Sequence, residues 1–200
     1  VLADQWREYF ICESLSKDVL VAKGQKRISG RSSNTQASEN IITNGSGIAV
    51  NEGQAMIIVD NGKIVEFCAE PGNFTYDTST EPTIFYGDLG TTIIDSIKKV
   101  GERFTFGADT GHDQRVYYFN IKEIMDNKYG TATPIPFKVV EDTVNAKFTI
   151  SLRCNGTYSY KIVDPVMFYA NVCGNVTSTY NRSEIDAVRE LVDSVLRYAG

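Results

Sequence analysis

Asn61-Gly62, standing between the β-rich runs AMIIVD and KIVEFC, constrains this chain more than any other pair of residues. A two-residue type I′ turn needs positive φ at both of its central positions, which asparagine and glycine tolerate, so residues 55–68 are expected to form an antiparallel hairpin. Pro71-Gly72 then marks a turn into a short strand, Asn73 to Tyr76. Upstream, DVLVAKGQKRI predicts two short strands around Gly24, and GRSSNTQASENIITNGSG (residues 30–47) reads as a surface loop. The stretch up to Phe10 shows no clean periodicity.

Beyond the hairpin, RVYYFNI alternates only weakly, and an extended region runs from Tyr129 through Pro136 to Val140. KFTISLR is cleaner. Phe148, Ile150 and Leu152 share one face and Lys147, Thr149, Ser151 and Arg153 the other, which predicts a strand with one wet side. Asn155-Gly156 follows, and with TYSYKIV it is expected to close a second hairpin. Antiparallel sheet dominates up to Val163.

Three helices are expected. Ile93, Ile94, Ile97 and Val100 fall at helical spacing, with Lys98 and Lys99 near the negative end of the dipole and Gly101 as the stop. Asp164-Pro165 opens a second helix, the aspartate capping first-turn amides and the proline pre-set for the first position, and Gly174 closes it. A cap is the expected role of Asp164, ahead of any catalytic one. A longer helix begins at Ser183, where S-E-I-D is a variant capping box. Ile185, Val188, Val192, Val195 and Ala199 then repeat at spacings of 3, 4, 3 and 4, an a/d seam, which Leu191 and Leu196 widen into a globular-type face.

Composition removes several classes of function. With 20 Lys and Arg against 25 Asp and Glu, the net charge is -5 and no basic block exists to hold a nucleic acid backbone. The 200 residues, 42% hydrophobic and 22% charged, describe an ordinary globular chain that needs no disulfide or metal staple. No apolar run approaches the roughly 18 residues of a membrane span. Val1 in place of methionine, and Gly200 on a continuing helical pattern, read as the ends of a fragment. The four cysteines, Cys12, Cys68, Cys154 and Cys173, lack metal-site spacing and are expected to be free thiols, Cys68 and Cys154 within strand-like segments. Five N-x-S/T triplets occur, at Asn44, Asn73, Asn155, Asn175 and Asn181, as a chain rich in these residues produces by chance.

Little in the sequence carries chemistry. His112 is the one histidine, so a His-dependent triad or metal site would have to use this residue of the polar loop FGADTGHDQ, where nothing nearby in sequence looks like a nucleophile. Asp109, Gly111 and Asp113 are spaced like part of a calcium loop whose remaining ligands are missing. Gly45 and Gly47 precede a strand rather than opening a helix, which is the wrong context for a phosphate cradle. The 11 Tyr and 10 Phe suit sheet faces better than a stacking platform. No catalytic residue, cofactor or metal is therefore expected.

The order of segments resembles a known superfamily. YSYKIVDPVMFYANV, residues 158–172, is similar to the strand, Asp-Pro and helix of the SPFH, or band 7, domain of stomatins, prohibitins and flotillins. NEGQAMIIVDNGKI and EPGNFTY resemble that family's opening hairpin and following turn, with Phe74 in the aromatic position. YFNIKEIMDNKYGTATPIPF resembles the middle of a bacterial branch described as virion core protein-like, and ELVDSVLRYAG the start of the long C-terminal helix. The likeness spans residues 18–200, with the segment from Gly30 to Asn44 as an insertion.

What the resemblance implies is an α+β fold: a mixed, largely antiparallel sheet with short helices and a C-terminal helix. Residues 1–200 are expected to form one SPFH-like domain, with a β-rich lobe at 18–124 and an α/β lobe at 125–200. Asp164 and Pro165 would be a structural family motif. The implied function is non-catalytic scaffolding: a homo-oligomer at the cytoplasmic membrane face that organises partner proteins, touching the membrane indirectly. Ile185, Val188, Val192 and Val195 are the candidate self-association residues, on a helix continued past Gly200. A different class remains as the alternative, an exported β-rich module that binds sugar or peptide on its tyrosine-rich faces.

Overall fold

A computed structural model describes residues 8–27, 40–79, 84–103, 113–185, 190 and 194–195. In chain order the strands are β1 (Tyr9–Ile11), β2 (Val19–Lys23), β3 (Gln25–Arg27), β4 (Gly47–Val50), β5 (Gln54–Asp60), β6 (Lys63–Cys68), β7 (Gly72–Thr75) and β8 (Ile84–Phe85). Helix α1 (Thr92–Arg103) precedes β9 (Gln114–Asn120), β10 (Ile124–Gly130), β11 (Ile135–Glu141), β12 (Ala146–Leu152) and β13 (Asn155–Tyr160). Helix α2 (Pro165–Phe168), a π turn over Tyr169–Cys173 and β14 (Thr179–Asn181) complete the regular structure, followed by a 3-10 turn at Arg182–Glu184. The fold is α+β with predominantly antiparallel pairing; among the described strands only β1–β4 and β6–β8 pair in parallel.

The chain forms two compact units, the first made of Val1–Lys122 and Lys161–Asn181, the second of Glu123–Tyr160 and Arg182–Gly200. In the first unit a six-stranded sheet runs β14-β2-β9-β5-β6-β8, and a four-stranded sheet runs β3-β1-β4-β7. At the β5–β6 connection Asn61 has φ 48° and Gly62 φ 82°, the two positive values that the Asn-Gly pair predicts.

Alternate residues of the central strands explain the layers. Met56 and Ile58 of β5 and Val116 and Tyr118 of β9 join Phe10, Ile48 and Val50 in one apolar core cluster with the four-stranded sheet. The intervening residues point to the opposite face. There Tyr117 lies 5.6 Å from Tyr169 and Phe119 lies 6.4 Å from Phe168, ring centre to ring centre. Both faces of β9 are thus covered, which is why RVYYFNI shows so little alternation.

Helix α1 buries Ile93, Ser96 and Val100, one stripe at i, i+3 and i+7. It continues through Gly101 to Arg103 instead of stopping there, because Gly101 keeps an ordinary helical backbone and does not take the left-handed conformation of a stop. The expected surface loop at 30–47 lies partly outside the described residues. Where it is described, Ile42 is buried and its N–H donates to Gln114 Oε1 over 2.8 Å, so this part of the loop is packed.

The second unit corrects the expected second hairpin. β12 pairs with β11, from Ile135↔Leu152 to Glu141↔Ala146, and β13 pairs with β10, so Asn155-Gly156 lies inside a strand instead of at a turn. The four strands nest as one two-stranded ribbon. Its tip is at residues 142–145, where Asn145 supplies a positive φ of 49°. At the joint between the two strand pairs, Thr131 N–H donates to the Cys154 carbonyl over 3.0 Å and Cys154 N–H donates to Thr131 Oγ1 over 3.2 Å. Four residues on one strand face two on the other there, a bulge that interrupts the ladder without ending the ribbon.

Candidate functional site

Asp164 and Pro165 do structural work. Oδ1 of Asp164 accepts from the Met167 N–H over 2.9 Å, capping α2, while Oδ2 accepts from Ser96 Oγ of α1. Pro165 occupies the first turn, where its missing N–H costs nothing. The chain then widens into a π turn: Gly174 N–H donates to the Tyr169 carbonyl over 2.8 Å, five residues back, and Gly174 ends the turn at φ 53°. This holds Tyr169 beside Tyr117, and both tyrosine hydroxyls donate to Asn175 Oδ1, at 2.6 Å and 3.3 Å. Burial pushes both phenols above their ordinary range. Neither is poised to transfer a proton near neutrality.

The thiols are similarly quiet. All four cysteines are free, Cys12 and Cys68 buried in the first unit's core, Cys154 half-buried at the ribbon joint, Cys173 half-buried in the π turn. Burial raises Cys12 and Cys68 to about 11 and Cys173 to about 12, the opposite of what a nucleophilic thiolate requires. Among the described residues no three His, Cys, Asp or Glu side chains come together as a metal would require. His112, Asp109 and Gly111 lie outside the described residues. Asp113 forms an ion pair with Arg115 at 2.9 Å.

A cleft of about 910 Å³ opens along β2 and β3, lined by Ser14, Ser16, Thr177, Ser178 and Thr179 with Lys23 and Lys26. Its two cations are engaged, Lys23 Nζ donating to Asn40 Oδ1 over 3.1 Å and Lys26 pairing with Glu8 at 2.6 Å. What remains for a ligand is hydroxyl, backbone and the exposed carboxylate of Glu13, which pairs with Arg27.

The surface least explained by packing is on the ribbon. Along β11 and β12 the rungs Ile135↔Leu152, Phe137↔Ile150 and Val139↔Phe148 place six apolar side chains on one face. Pro136, Lys138, Thr149 and Ser151 occupy the reverse. The sequence predicts the alternation of β12 but also predicts burial of its apolar side, and that burial is not found: Phe148 is 49% exposed, Ile150 40% and Leu152 45%. Nearer the base, Tyr129, Tyr158 and Tyr160 line up, with ring centres 6.5 Å and 6.3 Å apart in succession. Gly156 makes that possible, since a Cβ there would fall 2.5 Å from the Tyr129 hydroxyl. Sequence reasoning missed this surface because its signal lies in the pairing of two strands, and the partner of β12 was assigned to the wrong side.

Of the four candidate self-association residues, Ile185 follows the 3-10 turn and is half-buried, and Val195 is 58% exposed in a helical segment. Val188 and Val192 lie outside the described residues. Ser183 sits within the 3-10 turn and not ahead of it. Arg182 anchors that turn in the second unit by donating to the Met125 carbonyl over 2.9 Å. No helix among the described residues is long and apolar enough to cross a membrane.

Comparison with known families matches residues 34–197 to the family described as SPFH domain-Band 7 family. No curated protein and no solved structure matches the chain.

Proposed function

The chain belongs to the SPFH domain-Band 7 family, and on that premise we propose that it is a non-catalytic scaffold that self-associates and organises partner proteins at the cytoplasmic face of a membrane. The family match over most of the chain carries this reading. The interior agrees with it: the carboxylate of the Asp-Pro motif is spent on a cap and a helix tie, and the buried thiols and phenols are held protonated. Contact with the membrane is peripheral or through membrane proteins. Self-association runs through the C-terminal helical segment, with Ile185, Val188, Val192 and Val195 along one seam, and repetition of identical chains supplies the scaffold.

Light-scattering mass of the native protein, beside a Val192→Asp/Val195→Asp double variant, tests this. An assembly of many subunits that the double variant reduces is the expected result. Unchanged assembly in a folded variant removes the seam from the contacts, and a monomeric native protein removes the scaffold. The exported binding module is tested by thiol titration after unfolding without reductant: four titratable thiols exclude it as a disulfide-bonded protein.

A further inference from the structure

Pro136 has no N–H to offer, yet it stands in unbroken register opposite Ser151 of β12. A ladder tolerates proline only where its nitrogen faces away from the partner strand, so the backbone groups of the Pro136↔Ser151 pair point outward on both sides. Alternation fixes the rest: the N–H and C=O groups of Lys147, Thr149 and Ser151 face the open side of β12, away from β11. Among the described residues β11 and β12 pair only with each other, and every residue from Lys147 to Arg153 is exposed. The outer edge of β11 lacks a donor at Pro136, whereas the edge of β12 is free of proline and glycine and carries the strand formers Phe148, Thr149 and Ile150. We propose that this edge takes up an extended segment of a partner protein by strand addition, and that the segment alternates acidic or hydroxyl side chains with apolar ones. The inference names how the scaffold proposed above holds a partner, and it rests on that reading only for its biological use.

The register defines the chemistry of the segment. Phe148, Ile150 and Leu152 lie on one face of β12, and Lys147, Thr149, Ser151 and Arg153 on the other. Lys138 joins that second face from β11, opposite Thr149, while Glu141, the one carboxylate of the two strands, falls on the apolar side. None of the three cations has an ion pair or hydrogen bond among the described residues. A strand laid along the edge therefore meets two hydroxyls between two cations on one face and three apolar side chains on the other. Carboxylates opposite Lys147 and Arg153, hydroxyls opposite Thr149 and Ser151, and β-branched residues between them complement every position.

The same charges turn other occupants away. A second copy of β12, antiparallel and in full register about Ile150, would set Lys147 opposite Arg153 twice over, and like charges directly opposite are destabilising. An anionic bilayer would meet the cations but supplies no row of alternating donors and acceptors at strand spacing for the outward N–H and C=O groups.

The probe is a capped, fluorescent heptapeptide, Glu-Val-Thr-Val-Thr-Val-Glu, titrated with the chain and followed by anisotropy. Saturable binding is expected, and Thr149→Pro should weaken it at least about tenfold, because it removes an outward N–H without touching the ladder to β11. N-methylation of the two peptide threonines, whose amides face β12, should abolish binding, and N-methylation of the valines should spare it. Lys147→Glu/Arg153→Glu should lose the acidic peptide and gain Lys-Val-Thr-Val-Thr-Val-Lys, a swap that an unfolded variant could not show. The N-methylated peptides and the wild-type chain decide the matter even if Thr149→Pro disturbs the ribbon. Absence of binding to the wild-type chain overturns the proposal, as does binding indifferent to both Thr149→Pro and threonine N-methylation. A wild-type dimer dissolved by Thr149→Pro overturns it and makes a second copy the occupant. Capture by phosphatidylserine vesicles without any peptide binding, lost in Lys147→Glu/Arg153→Glu, overturns it in favour of an anionic bilayer. Peptide binding is read whatever the assembly state of the chain, so a monomeric chain that binds the peptide sinks only the self-associating scaffold, and a large assembly that ignores the peptide sinks only the edge.

Discussion

Ser96 and Asp164, 68 residues apart in sequence, share a 2.5 Å hydrogen bond in which the hydroxyl of α1 donates to the carboxylate that caps α2. Ser96 is buried, so the bond joins two helices through one carboxylate whose other oxygen is already committed to the Met167 N–H. Asp164→Ala removes the cap and strands the serine hydroxyl, and is expected to cost about 2 kcal/mol. Ser96→Ala should cost about 1 kcal/mol, and the double variant less than the sum. Urea unfolding of the four proteins measures this coupling; strict additivity would show that the bond contributes nothing.

Gly62 holds φ at 82° with no heavy atom within 4 Å of where a Cβ would stand. Substitution there meets a backbone penalty without a steric clash, and Gly62→Ala is expected to lower stability by about 1 kcal/mol. Asn61→Gly should be close to neutral. A stable Gly62→Ala protein would mean that the turn can change type without disturbing β5 and β6.

These two sites were legible in the sequence because their chemistry is local. Asn-Gly specifies its own turn, and Asp-Pro its own helix start. The pairing of β12 was not legible, because Asn155-Gly156 carries a turn signal while the actual tip, Glu-Asp-Thr-Val-Asn, has no glycine and obtains its positive φ from Asn145. Strand partners are chosen by rungs such as Phe137↔Ile150, whose members are far apart in the chain. β9 was obscured for the opposite reason: covered on both faces, it has no wet side to give it a period. The self-association seam rests on the sequence pattern, and the ribbon face came only from the strand pairing.

Cys12 and Cys68, raised by burial to about 11 from an ordinary value of 9, make the fold sensitive to alkali. The unfolded chain releases these protons at lower pH than the folded one, so stability is fully present below pH 9 and falls as pH rises toward 11. Denaturant unfolding across that window should show the decline, with a shallower slope in Cys68→Ala. A flat profile would contradict the burial assigned to both thiols. At neutral pH a thiol reagent is expected to reach half-buried Cys154 before Cys12 or Cys68.

Phe67 and Phe148 are chemically identical and differently placed: the first is fully buried in β6 and the second 49% exposed on the ribbon. Phe67→Ala should cost about 3–5 kcal/mol, and Phe148→Ala, in dilute protein, under about 1 kcal/mol. Differential scanning calorimetry compares them. A large loss for Phe148→Ala in the monomer would mean that its face is already covered within one chain.

The nesting of the ribbon also orders events on a ribosome. Helix α2 and β14, which belong to the first unit, are made only after the 38 residues Glu123–Tyr160 have emerged. Until then β2 lacks its β14 neighbour and the Ser96 hydroxyl has no carboxylate to meet. Once Ile124 and Tyr160 pair at the ribbon's base, the intervening chain no longer separates the two segments by its full contour, and the entropic cost of bringing α2 home shrinks to that of a short connection. The ribbon is thus a strut during synthesis before it is a surface afterwards, and lengthening it by matched residues at the tip would leave that return path unchanged.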